Sequence, residues 1–224
     1  YEIMPSLVGS EMCIRDRSIS VNGEVIYGTS WDNSDYGMLY WEKEGAGFGR
    51  PQWVGEDVRE ITPTVMQYQD GTEYDYNLVN GCICQAQLTK ISPSGKWIAT
   101  TYRTETPSAN RQYVEYTYAA AFYNTETGTT TIVEDYGETT GVHVTDDGIG
   151  FIVNSGGASG YVVDIESGTQ LGTTEQWIYD NYGITVPAGY IQRLCPNGMV
   201  LGYSVMNVGP GLLSVAWYVR PAEM

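Results

Sequence analysis

Basic side chains are scarce in this sequence: 11 lysines and arginines stand against 27 acids in 224 residues, a formal net charge of −16. Binding to a phosphate backbone needs clustered cations that displace counterions, so no nucleic-acid partner is expected. No apolar run is long enough to span a bilayer as a helix, so no transmembrane segment is expected either. Histidine is limited to His143, and the four cysteines show none of the paired spacings that hold zinc. Neither a metal nor a cofactor is therefore expected. Nucleophile elbow, phosphate loop and dinucleotide fingerprint are all missing, and with them any direct sign of an enzyme.

Long helical stripes are missing too. From residue 18 onward, β-branched and aromatic residues instead alternate between turns of Gly, Asn, Asp and Ser, which predicts an all-β fold. Four stretches line up: "SISVNGEVIYGTS" at 18–30, "LTKISPSGKWIATTY" at 88–102, "GVHVTDDGIGFIVNS" at 141–155 and "IQRLCPNGMVLGYSV" at 191–205. Each places a turn ending in Gly23, Gly95, Gly148 or Gly198 between two apolar runs, the signature of a hairpin whose tight turn needs positive φ. A further strand-like run follows each, as in "YGMLYWEKEG" and "LSVAWYVRP".

A unit of three or four antiparallel strands cannot bury both of its faces alone, so successive units must stack. That predicts an incomplete β-propeller of about four blades, with a β-sandwich as the alternative. The units are expected near 18–60, 80–137, 138–185 and 186–224, forming a single repeat domain over 18–224 with an insertion near 54–80. In "TTEQWIYDNYG" a Thr cap, an early Glu and Gly183 predict one short helix near 174–182. Cys82, Cys84 and Cys195 are expected as thiols, although Cys82 and Cys84, two apart on one strand, lie near the upper separation for a disulfide.

Two resemblances accompany this pattern. The opening "YEIMPSLVGSEMCIRDR" resembles the translation of a transposase-type sequencing-library adapter at every constrained position. Residues 1–17 are on that reading an artefact, excluded from fold reasoning, and the natural N-terminus with its signal peptide has been lost. Without Glu2, Glu11, Asp16, Arg15 and Arg17, 24 acids face 9 bases. The recurring hairpin and "EQWIYDNYGITVPAGYIQRLCPNGMVLGY" are similar to the extracellular HAF-type repeat proteins of bacterial envelopes. The match is best over residues 174–205 and departs from the pattern at Cys195, where Ser is usual. The resemblance implies a propeller-like fold and a secreted or cell-envelope location, and it implies no activity.

Three places are candidates for chemistry. In "TSWDNSDYG", Trp31, Asp32, Asp35 and Tyr36 combine aromatic platforms with hydrogen-bond acceptors, as a sugar-binding loop would. The same loop lacks the register of a calcium site. His143 beside Asp146 and Asp147 reads as a structural His next to a turn. The dispersed acids Glu42, Glu44, Glu56, Asp57, Glu115 and Glu126 give no defined pair of the kind a glycosidase needs. The expected function is a non-catalytic binding module for a glycan or protein ligand. A polysaccharide-active hydrolase or lyase and a purely structural repeat array are the alternatives.

Overall fold

The computed structural model describes residues 15–31, 36–84, 90–134, 137–154, 159–195, 198–208 and 211–221. Among them lie nineteen strands, one α-helix and one 3-10 turn, and every strand pairing is antiparallel. Sheet 1 contains β1 (Arg15–Ile19), β2 (Val25–Trp31) and β3 (Tyr36–Glu44), with the short β4 (Gly47–Phe48) and β5 (Gln52–Trp53) on β3. A two-stranded insertion follows, β6 (Glu60–Gln67) and β7 (Glu73–Asn80). Sheet 2 places β8 (Cys82–Cys84) and β9 (Lys90–Ile91) along β10 (Trp97–Pro107), then β11 (Val114–Asn124) and β12 (Thr129–Val133). Sheet 3 is β13 (Thr139–Val144), β14 (Ile149–Asn154), β15 (Gly160–Asp164) and β16 (Gln170–Thr173). Sheet 4 is β17 (Tyr190–Leu194), β18 (Val200–Val208) and β19 (Gly211–Val219). Strand order within each of these four sheets follows the chain, and none closes on itself.

The four glycines singled out in the sequence sit at one turn repeated in the four sheets. Gly23, Gly95, Gly148 and Gly198 have φ of 74°, 90°, 85° and 77°. Each donates its N–H to the carbonyl three residues earlier, that of Ser20, Ser92, Thr145 and Cys195, at 2.9, 3.0, 3.2 and 2.9 Å. Those earlier residues close the hairpin a second time: the hydroxyls of Ser20, Ser92 and Thr145 accept the N–H groups of Val25, Trp97 and Ile149. Neighbouring turns are tied together as well. Asn22 donates to the Ser94 carbonyl at 2.9 Å, and the Ser94 hydroxyl donates to Asp146 at 2.6 Å.

Three apolar clusters lie between sheets that are neighbours in the chain. Val25, Tyr27, Met38 and Tyr40 of sheet 1 meet Ile98, Ala121 and Tyr123 of sheet 2. The opposite face of sheet 2, with Ala99, Ala120 and Phe122, meets Val144, Ile152 and Val163 of sheet 3. The remaining face of sheet 3, with Val142, Phe151 and Val162, meets Ile191, Val200 and Val219 of sheet 4. Strands of sheets 2 and 3 are thus apolar on both sides, and read as near-continuous apolar runs where one-sided burial would give strict alternation.

Close stacking demands small residues. A methyl on Gly141 would come 2.8 Å from the Thr100 carbonyl oxygen and 3.0 Å from that of Ala121, both backbone atoms of sheet 2. One on Gly150 would sit 2.6 Å from the ring of Phe122.

The helix forms where its signals put it, as α1 (Thr174–Tyr182), with the Thr173 side chain capping Gln176 N and Gly183 in the left-handed conformation at its end. Its Ile178 is buried between sheets 3 and 4. The insertion is held to sheet 2 by Glu105, which is buried at 5% exposure. Its carboxylate accepts from Arg103 at 2.8 Å, from Val79 N at 3.0 Å and from the Tyr76 hydroxyl at 3.4 Å. Cysteine chemistry departs in one place from expectation: Cys195 is a free thiol, but Cys82 is disulfide-bonded. Arg15, Asp16 and Arg17, the last residues of the adapter-like stretch, belong to β1, and residues 1–14 lie outside the described residues.

Because the atoms facing Gly141 are backbone, they cannot rotate away, and Gly141→Ala is expected to destabilise the fold by about 1–3 kcal/mol through overpacking. Gly211→Ala, where no atom lies within 4 Å, is the control and should stay within about 0.5 kcal/mol of the parent. Urea unfolding of the two variants checks both.

Candidate functional site

Of the four residues chosen from "TSWDNSDYG", Asp32 and Asp35 lie outside the described residues. Trp31 and Tyr36 are the last paired positions of β2 and β3, opposite one another across the strands, and their side chains are likewise outside the description. The place itself is informative. It is the connection between the second and third strands of sheet 1, and its counterpart in sheet 2 is built on a larger scale.

There β10 and β11 pair over eleven residues each, far past the neighbouring strands, and form an arm. At its tip the Ser108 hydroxyl accepts from Tyr113 N, and Arg111 takes a left-handed backbone with φ 56°. The Arg111 carbonyl accepts from Gln67 N at 2.9 Å, so the tips of the arm and of the β6–β7 insertion meet. The insertion and the arm both carry exposed tyrosines. Tyr68 and Tyr113 are 56% and 57% exposed, and Tyr116 and Tyr118 are 43% and 39% exposed. Tyr68 packs on Tyr74 with ring centroids 4.5 Å apart. Tyr116 and Tyr118 pair across the strands with Glu105 and Arg103 and so share one face of the arm, where the Arg103 guanidinium lies 4.9 Å from the centre of the Tyr116 ring. The Tyr76 hydroxyl titrates above its ordinary range, chiefly through burial and then through the Glu105 charge. Rings anchored by charged neighbours, with hydroxyls at the surface, are suited to sugars and to protein side chains alike.

A second concavity lies where the first strands of the sheets come together. It encloses about 470 Å³ and is lined from all four sheets, with Ile19 and Val21 from the first, Lys90 and Ile91 from the second, His143 from the third, and Arg193 from the fourth. His143 is buried. Its Nδ1 lies 2.7 Å from Val144 N and 3.1 Å from the Val144 carbonyl oxygen, and the ring also bonds the backbone of Leu194 in β17. His143 therefore joins the first strand of sheet 3 to the first strand of sheet 4. Burial pushes its pKa down to about 4, the backbone bonds oppose that fall, and the charges of Lys90 and Arg193 add to it.

Of the two acids beside His143, Asp146 ties the turns of sheets 2 and 3 together. Asp146 accepts from both the hydroxyl and the N–H of Ser94, and although burial opposes it, these bonds and Lys96 hold its carboxyl below the ordinary range. Among the dispersed acids, Asp57 accepts from the hydroxyl and N–H of Thr130 at 2.6 and 2.7 Å, and Glu126 faces Lys96 at 3.8 Å. Among the described residues no group of three or more His, Cys, Asp and Glu side chains is placed to hold a metal ion, and no helix is long and apolar enough to cross a membrane. No protein-family model and no curated protein matches the sequence.

The position of His143 has a consequence for acid stability. Its folded pKa of about 4 lies below the ordinary 6.5, so between those values the unfolded chain binds a proton that the folded chain does not, and stability rises with pH across that window. The stabilisation is complete above about pH 6.5 and is lost as pH falls to about 4. Relative to a His143→Gln variant, the parent should lose about 3 kcal/mol over this interval, as measured by denaturant unfolding at a series of pH values.

Proposed function

We propose that the four sheets are blades of a β-propeller and that the chain is a non-catalytic, extracytoplasmic module binding a glycan or protein ligand on its loop-end surface. The blade reading is supported by one turn repeated in four separate sheets and by core clusters that lie between successive sheets. In a sandwich, two sheets would share one core between their inner faces. Sheets 2 and 3 instead bury both faces.

The observation that carries the binding reading is the set of exposed tyrosines on the insertion and the arm that meets it, Tyr68, Tyr113, Tyr116 and Tyr118. The arm carries the connection between the second and third strands of sheet 2, equivalent in chain order to the one in sheet 1 that carries Trp31, Asp32, Asp35 and Tyr36. A non-catalytic role is supported by His143 and Asp146, each of which makes strand or turn contacts. An extracytoplasmic location is supported by the disulfide on Cys82, since such bonds persist in oxidising compartments.

A glycan array followed by calorimetric titration tests the reading. Tyr113→Ala/Tyr116→Ala is expected to weaken binding about tenfold, the scale of two lost aromatic contacts, and Trp31→Ala/Tyr36→Ala to weaken it further. Binding indifferent to both double variants would reject the surface, and turnover of any polysaccharide would favour the hydrolase or lyase reading.

A further inference from the structure

The cavity at the first strands has a composition that the rest of the molecule does not explain. Counting back five residues from each turn glycine gives Ser18, Lys90, His143 and Arg193. Three of the four equivalent positions therefore carry a nitrogen base, in a chain with only 11 lysines and arginines and a single histidine. The backbone treats the position specially as well. The ladder is irregular between Arg15 and Ser18, between Gly141 and His143 and between Ile191 and Arg193. Such bulges re-aim side chains.

The consequence is a concentration of positive charge inside a strongly acidic protein. Lys90 and Arg193 both line the cavity, and among its described lining residues there is no Asp or Glu. Among the described residues neither cation has a carboxylate within 4 Å. Both charges act on His143, so their fields overlap at one place. Two like charges facing one concavity repel each other, and an anion placed between them relieves that cost. The walls add a second requirement: Ile19, Val21, Ile91 and Leu201 are aliphatic, and among the described lining residues there is no Phe, Tyr or Trp and Gln192 is the one amide. Sugar stacking has no platform there. A methylene chain does.

We propose that this cavity binds a small aliphatic dicarboxylate, one carboxylate on Lys90 and the other on Arg193, with its methylene groups against the apolar walls. The site uses residues of all four sheets and none of the tyrosine surface, so it stands or falls separately from the glycan or protein reading.

Calorimetric titration of the 224-residue chain with adipate tests the proposal, with butyrate, adipamide and inorganic phosphate as comparisons. Adipate should bind saturably at one site and more tightly than any of the three, and binding should weaken as sodium chloride is raised, because salt screens exposed charges. Lys90→Gln and Arg193→Gln should each weaken it about tenfold, the scale of one charge-assisted hydrogen bond. Arg193 is exposed on its strand, so its replacement leaves the core intact. Val21→Trp, at an exposed turn position, keeps both cations and should block binding by filling the mouth. Absence of saturable adipate binding, or binding unchanged in both charge variants, overturns the site. Phosphate binding as tightly as adipate, or adipamide matching it, overturns the dicarboxylate assignment. Loss of glycan binding in the tyrosine variants with adipate binding retained would confirm that the two surfaces are separate.

Discussion

The constraint on which the molecule depends is that sheets 2 and 3 must each bury two faces. A sheet with apolar side chains on both sides has no solvent face to fall back on, so its position is fixed only by neighbours on each side. Ala99 and Ile98 are adjacent on β10 yet belong to different clusters, as are Phe151 and Ile152 on β14. Period-two geometry makes that division unavoidable. The requirement also sets side-chain size. Facing sheets pack about 10 Å apart, and where the backbone comes closer the sequence supplies Gly141 against the carbonyls of Thr100 and Ala121, and Gly150 against Phe122.

Stacking in chain order has a geometrical result that no single unit contains. Each sheet presents its first strand to the same region, so a residue at a given offset from the turn glycine is brought toward its counterparts from the other sheets. The turns themselves enforce the alignment, since Asn22 reaches Ser94 and Ser94 reaches Asp146 across successive sheets. A repeated position therefore becomes a cluster. This is how Lys90 and Arg193, 103 residues apart by number, come to line one cavity, and why a charge cluster can exist in a chain where bases are rare.

What could be read from the sequence follows the range of the interaction involved. The four hairpins and α1 were legible because their causes are local: positive φ at Gly23, Gly95, Gly148 and Gly198, and a Thr cap paired with Gly183. The docking of the insertion was not, because it depends on the buried carboxylate of Glu105 meeting Val79 N, Tyr76 and Arg103, and a buried acid looks like any of the other 26 in the sequence. The aromatic loop of sheet 1 was singled out by its mixture of Trp, Tyr and Asp. The larger tyrosine surface in sheet 2 was missed because Tyr113, Tyr116 and Tyr118 read as ordinary strand residues until β10 and β11 are seen to outrun their neighbours. The cavity residues were visible as letters at one offset, but the offset has no meaning until the first strands converge.

His143 links the two scales of organisation. It occupies the repeated position, yet its ring turns away from charge chemistry to bond Val144 and Leu194. Leu194 directly follows Arg193, so the bond that joins sheets 3 and 4 also fixes the backbone from which the Arg193 side chain projects. A charged imidazole there would face Lys90 and Arg193 with no counter-charge among the described lining residues, and burial already disfavours it. Neutrality at this position keeps the strand junction closed and leaves the positive field to the two side chains that reach the cavity. Within one repeated position the structure thus separates a positioning residue from two charged ones, and the difference is set by burial and bonding, with the residue offset held constant.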